Sequence, residues 1–181
     1  MPAFQTKQVF LDLLKKNDIV IIQGETGSGK TTQIPQFLLE TEYIKTGLVA
    51  VTQPRRIAAI SVAQRVSEET DTILGEIIGY SVRFDERSTQ QTLIKYMTDG
   101  MLIRELMLDN SLKKFSTVIL DEAHERTLNN DILMGVLKQL VEKRKKTENP
   151  LKLIIMSATI EIERFQNYFD DQAPVLQIPG R

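Results

Sequence analysis

The sequence predicts an α/β domain in which helices cover both faces of a mainly parallel sheet. Two observations carry that prediction. Strand-length apolar or β-branched runs alternate with longer helical patterns almost from end to end, and the runs are near-continuously apolar rather than apolar at every second residue. Near-continuous apolar character belongs to strands buried on both faces, as in a parallel sheet between two helical layers. Repeated strand–helix–strand order gives the doubly wound arrangement. A length of 181 residues suits one domain with a single well-formed core.

Taken in order, residues 4–16 form an amphipathic segment with Val9, Phe10, Leu13 and Leu14 on one side. It is expected to pack, as an N-terminal helix over 1–16, on a domain running from 17 to 181. The strand-length runs lie at 19–23, 48–52, 93–98, 117–121 and 153–157, and helical spacing fills 31–40, 57–69, 101–108, 132–144 and 162–169. A last strand is expected just before residues 178–181. The charged run 142–146, followed by 147–150, reads as a solvated helix end and a turn.

Composition excludes some classes. A hydrophobic share of 41% and a charged share of 26% are those of a globular protein. No apolar run approaches the roughly 18–20 residues needed to cross a bilayer, so no membrane partner is expected. Without cysteine there is no disulfide framework and no thiolate metal site, which points to an intracellular address. The net charge of −1 presents no strong basic field, so nucleic acid would have to be held by a local strip.

Gly24-Glu25-Thr26-Gly27-Ser28-Gly29-Lys30-Thr31 matches G-x-x-x-x-G-K-[ST] in full, between a predicted strand and a predicted helix. A polyphosphate needs several backbone N–H donors converging on it, and glycines let the chain curl closely enough to supply them. The following helix, which continues through Thr32, adds the positive end of its dipole. Lys30 is then placed to reach the β- and γ-phosphates, and the Thr31 hydroxyl to ligate Mg²⁺. A glycine-rich turn that binds nothing would not explain the flanking strand and helix.

Further along, an apolar run ends in Asp121-Glu122-Ala123-His124. Asp121 is placed to hold the Mg²⁺ shell, directly or through water. Glu122 can also approach the ion, and can orient or deprotonate the water that attacks the γ-phosphate. His124 is the only histidine, and one histidine without cysteine makes no structural zinc site. Beside a hydrolytic site its better reading is a coupling role. Ser157-Ala158-Thr159 ends another apolar run. Its hydroxyls either sense the acidic loop or merely cap the next helix.

In their order and spacing these motifs resemble those of the DEAH-box helicases of superfamily 2. The chain is similar to their first RecA-like domain, a P-loop NTPase fold, over almost its whole length. Thr52-Gln53-Pro54-Arg55-Arg56 looks like motif Ia and Thr98-Asp99-Gly100-Met101 like motif Ib. Motif II is matched by Asp121-Glu122-Ala123-His124-Glu125-Arg126 and motif III by Ser157-Ala158-Thr159. The wording at 61–65, 95–101 and 131–135 looks most like the pre-mRNA-splicing and ribosome-biogenesis branch.

The resemblance implies an ATP-dependent RNA motor that uses ATP, or another NTP, with Mg²⁺. It implies that Arg65 stacks on the base, which would read the base loosely. Arg55, Arg56, Thr98, Asp99 and Gly100 would line a sequence-independent track on the RNA backbone. A salt-bridge role at a helix start is the competing reading for Arg55 and Arg56. Ser157 and Thr159 would couple the nucleotide site to RNA movement. A second RecA-like domain, a G-patch-type activator, 3′-to-5′ movement and a nuclear or nucleolar address, with the cytoplasm as alternative, are implied as well. No Gln-Arg-x-Gly-Arg-x-Gly-Arg element with its arginine fingers is present, so the chain is expected to be one excised domain. Loss of such a finger slows GTPase hydrolysis by about 10³–10⁵, and this chain alone is expected to hydrolyse poorly and unwind nothing. A GTPase would want an Asn-Lys-x-Asp guanine reader and a nucleoside kinase an arginine-rich lid, and neither is found. A nucleotide-gated binding module without a working hydrolytic site is the non-enzymatic alternative.

Overall fold

A computed structural model describes residues 2–158, 162–170 and 172–180. The opening segment is two helices, α1 (Pro2–Gln5) and α2 (Lys7–Lys16), separated at Thr6, whose hydroxyl donates to Ala3 O at 2.8 Å. Ala3, Phe10 and Leu14 face the core, whereas Val9, expected beside them, is 52% exposed. At about 100° per residue Val9 stands well round α2 from Phe10 and Leu14.

Strand β1 (Ile19–Gly24) leads into helix α3 (Lys30–Leu38) and a short α4 (Tyr43–Thr46). Then come β2 (Leu48–Gln53), α5 (Arg56–Glu69), the hairpin of β3 (Ile78–Val82) with β4 (Asp85–Arg87), and β5 (Ile94–Thr98). Helix α6 (Asp99–Leu108), β6 (Phe115–Leu120), a 3-10 turn at Ala123–Glu125 and α7 (Leu128–Arg144) follow, and β7 (Lys152–Ser157), α8 (Ile162–Tyr168) and β8 (Val175–Ile178) complete the order. The sheet runs β4-β3-β5-β2-β6-β7-β1-β8, and every pairing is parallel except β3 with β4. The expected three-layer, RecA-like α/β/α arrangement is therefore the observed one.

Successive residues of each strand feed opposite layers. Val20 and Ile22 pack with Ile34, Phe37, Ala59 and Ala63 on one face, while Ile21 packs with Leu133 and Leu137 on the other. The parallel register brings the strand ends to one edge, pairing Gln53 with Thr98 and Gln23 with Ser157. Ligand sites of such sheets form outside that carboxyl edge.

The hairpin of β3 and β4 has no counterpart among the expected strands. At the end of α7, Glu142, Lys143, Lys145 and Lys146 are exposed, as expected for 142–146, and Arg144 alone departs from that expectation. Arg144 is buried and donates to the carbonyls of Leu112 (2.9 Å), Phe115 (2.8 Å) and Asn149 (2.7 Å), tying the helix end to two loops.

Candidate nucleotide-binding site

The loop after β1 curls because Gly27 and Gly29 take φ values of +84° and +92°, where a side chain is strained. At Gly24 a Cβ would stand 2.9 Å from Ser28 Oγ and 3.2 Å from Ile178 Cβ, so glycine lets β1 lie close to β8. The curl turns Ser28 and Lys30 inward, to 1% and 2% exposure. Ser28 Oγ is buried without a hydrogen-bond partner, the kind of orphan that a phosphate oxygen satisfies. Helix α3 begins at Lys30 and points its positive end at the loop.

Opposite stands Asp121, one residue beyond β6 and fully buried. Strand β7 separates β6 from β1, and side chains span the gap. Thr31 Oγ1 donates to Asp121 Oδ2 at 2.7 Å, Gln53 Nε2 to the same oxygen at 2.6 Å, and the Glu122 N–H to Oδ1 at 2.8 Å. Burial pushes the Asp121 carboxyl above its ordinary range, and the Thr31 bond and the charge of Lys30 pull it back. Glu122 is raised too, by its own burial and by Asp121, against Lys30 and His124. Its backbone is left-handed, with φ +54°, a strained conformation that clusters at functional sites.

The donor set fits magnesium. Among the described residues no three acidic, histidine or cysteine side chains gather into a metal cage, so phosphate oxygens would have to complete the shell, as they commonly do for Mg²⁺. The Thr31 hydroxyl spends its one proton on Asp121 and keeps lone pairs for a hard cation.

One cleft is lined by Thr26, Gly27, Gly29, Lys30, Thr31, Thr32, Arg65 and Glu122. Gly24 and Glu25 face a neighbouring groove with Gln177 and Gly180 instead. Arg65 reaches the cleft from α5 and pairs with Glu69 at 3.0 Å; Glu69 is itself held by Gln33 and Gln36. His124 joins two segments: its Nδ1 accepts from the Ala158 N–H at 3.2 Å, and its Nε2 stands 3.3 Å from Glu122 Oε2. Ser157 is buried at the end of β7, and Thr159 lies outside the described residues.

The five residues expected to line a track lie just beyond, or at, the ends of neighbouring strands β2 and β5. Arg55, Arg56 and Gly100 are exposed and Thr98 is half-buried. Arg55 stands 3.5 Å from Glu125, the salt-bridge arrangement weighed from sequence. The side chain of Asp99 is turned inward, 4% exposed, where Thr127 Oγ1 donates to it at 3.2 Å and burial raises its pKa. Its carboxylate is therefore not presented to a strand lying on the surface. Two residues with no assigned role belong to the site: Gln53, the last residue of β2, and Tyr96, whose hydroxyl donates to Thr31 O at 3.0 Å. The first stood within a recognised motif; the second lay in the family-like stretch 95–101, where nothing marked its hydroxyl as part of the site.

Comparison with known proteins agrees with this geometry. The model of the DEAD/DEAH box helicase family matches residues 5–167. The human ATP-dependent RNA helicase DHX33 is 52% identical over the whole chain, and its mouse counterpart 51%. The chain spans 26% of the length of each. An intact phosphate loop facing Asp121-Glu122-Ala123-His124 across one sheet edge, with this similarity from end to end, makes the chain a member of the DEAD/DEAH box helicase family.

Proposed function

We propose that this chain is the ATP-binding domain of an ATP-dependent RNA helicase and carries the catalytic carboxylate of its hydrolytic site. The observation that carries the reading is the 2.7 Å bond from Thr31 to Asp121, beside the buried ammonium of Lys30. The curled amides, Ser28 and Lys30 bind the phosphates, and Arg65 at the cleft mouth stacks on the base. Thr31 and Asp121 would hold a magnesium ion, which would neutralise phosphate charge. Glu122, whose raised pKa makes it a stronger base, accepts a proton as water oxygen bonds to the γ-phosphorus and the β–γ bridging bond breaks. ADP leaves.

His124 ties this acidic turn to Ala158, so a change at Glu122 is felt at Ser157 and Thr159. Arg55, Arg56, Thr98 and Gly100 contact RNA phosphates, with Asp99 holding the track to the turn before α7 through Thr127. Arginine fingers come from a second RecA-like domain, and a G-patch-type protein activates the whole motor. The wording between motifs supports the splicing and ribosome-biogenesis branch, and membership of that branch would imply nuclear or nucleolar residence, with the cytoplasm as the alternative. In the full-length parent, Glu122→Gln is expected to retain nucleotide binding, to lower hydrolysis by at least about 10²-fold and to block RNA release. Unchanged biological activity of that variant would favour the nucleotide-gated scaffold.

A further inference from the structure

Helix α3 carries Pro35 in its interior. In an α-helix the amide of residue 35 would donate to the carbonyl of Thr31, four residues earlier. Proline has no N–H, so the helix leaves that carbonyl without its usual partner. Tyr96, wholly buried on β5, supplies the donor through its hydroxyl at 3.0 Å. Thr31 is thus held at both ends, by Tyr96 at its main chain and by Asp121 at its hydroxyl. Strand β5 lies four places from β1 in the sheet, and it ends at Thr98, two residues after Tyr96. The bond therefore joins the strand that ends in the RNA-track residues to the first turn of the phosphate-binding helix.

We propose that Tyr96 is a positioning residue for magnesium–nucleotide binding: its hydroxyl replaces the main-chain bond that Pro35 omits and so aims Thr31 Oγ1. The inference rests on Thr31 as a magnesium ligand. A general packing role for Tyr96 would affect all binding alike. A role through Thr31 affects the magnesium-dependent part and becomes dispensable once an amide at residue 35 is restored.

The test is binding of a fluorescent ADP analogue by the 181-residue chain, titrated with Mg²⁺ and repeated in EDTA. Tyr96→Phe is expected to raise the half-saturating Mg²⁺ concentration about three- to tenfold, the worth of one net hydrogen bond, and to leave binding in EDTA unchanged. In a Pro35→Ala background the same substitution is expected to shift it less than about twofold, since the restored helical bond supplies the missing contact. Equal magnesium requirements for wild type and Tyr96→Phe, or equal shifts in both backgrounds, would overturn the proposal. Thr31→Ala separates the two levels. If it keeps the wild-type magnesium dependence, the reading of Thr31 fails and takes this inference with it. If it loses that dependence while Tyr96→Phe does not change it, only the inference fails.

Discussion

Lys30 owes its burial to a curl that two left-handed glycines permit, and its charge reaches both Asp121 and Glu122. Lys30→Ala is expected to weaken nucleotide binding about 10- to 100-fold, the worth of one charge-assisted hydrogen bond, as isothermal titration can measure. Gln53→Ala removes a 2.6 Å donor from a fully buried carboxylate and is expected to lower stability by about 1–3 kcal/mol in urea melts. Asp99 gives a pH prediction. Burial holds its pKa above the ordinary 3.8, so the folded state binds the proton more tightly than the unfolded chain does. That stabilisation is complete below pH 3.8 and is lost as pH rises through the raised value. Asp99→Asn should flatten this fall in a melting-temperature series. The phosphate loop was legible because its chemistry sits in eight contiguous residues whose spacing is its function. The inward turn of Asp99 was not, because it depends on Thr127, which is 28 residues away in the chain.

The five expected strand runs became β1, β2, β5, β6 and β7, each within a few residues of its expected limits, because burial on both faces leaves a near-continuous apolar signature. The hairpin was hidden for the opposite reason. Gly79 and Ser81 interrupt β3, and β4 is Asp85-Glu86-Arg87, a charged edge held in place by Lys95 at 2.9 Å from Glu86. Helix α7 was read with the right end, at Arg144, and what was missed is the burial of that residue. Arg144 sits among charged residues in sequence, yet its guanidinium fits a fork of carbonyls from two loops. Arg144→Ala orphans those acceptors and is expected to destabilise the fold by at least about 2 kcal/mol in denaturant titrations. A surface arginine would change it by no more than about 0.5 kcal/mol.

At the scale of the molecule, the sheet assembles a nucleotide cleft and the proposed half of a track along one edge, and β2 and β5 serve both, Gln53 reaching Asp121 and Tyr96 reaching Thr31 from strands that end at the proposed track residues. The chain by itself is expected to bind nucleotide, to turn it over slowly and to separate no duplex. Robust RNA-stimulated hydrolysis by the isolated chain would show that no second domain is needed. The most direct measurement is the affinity for ATP with and without magnesium, for wild type, Lys30→Ala and Asp121→Asn, alongside their melting temperatures. Wild type should bind tightly only with the ion present, and both variants should lose that gain while remaining folded. Folded variants that bind Mg-ATP as tightly as wild type would mean that the lysine and the carboxylate do not grip the same ligand.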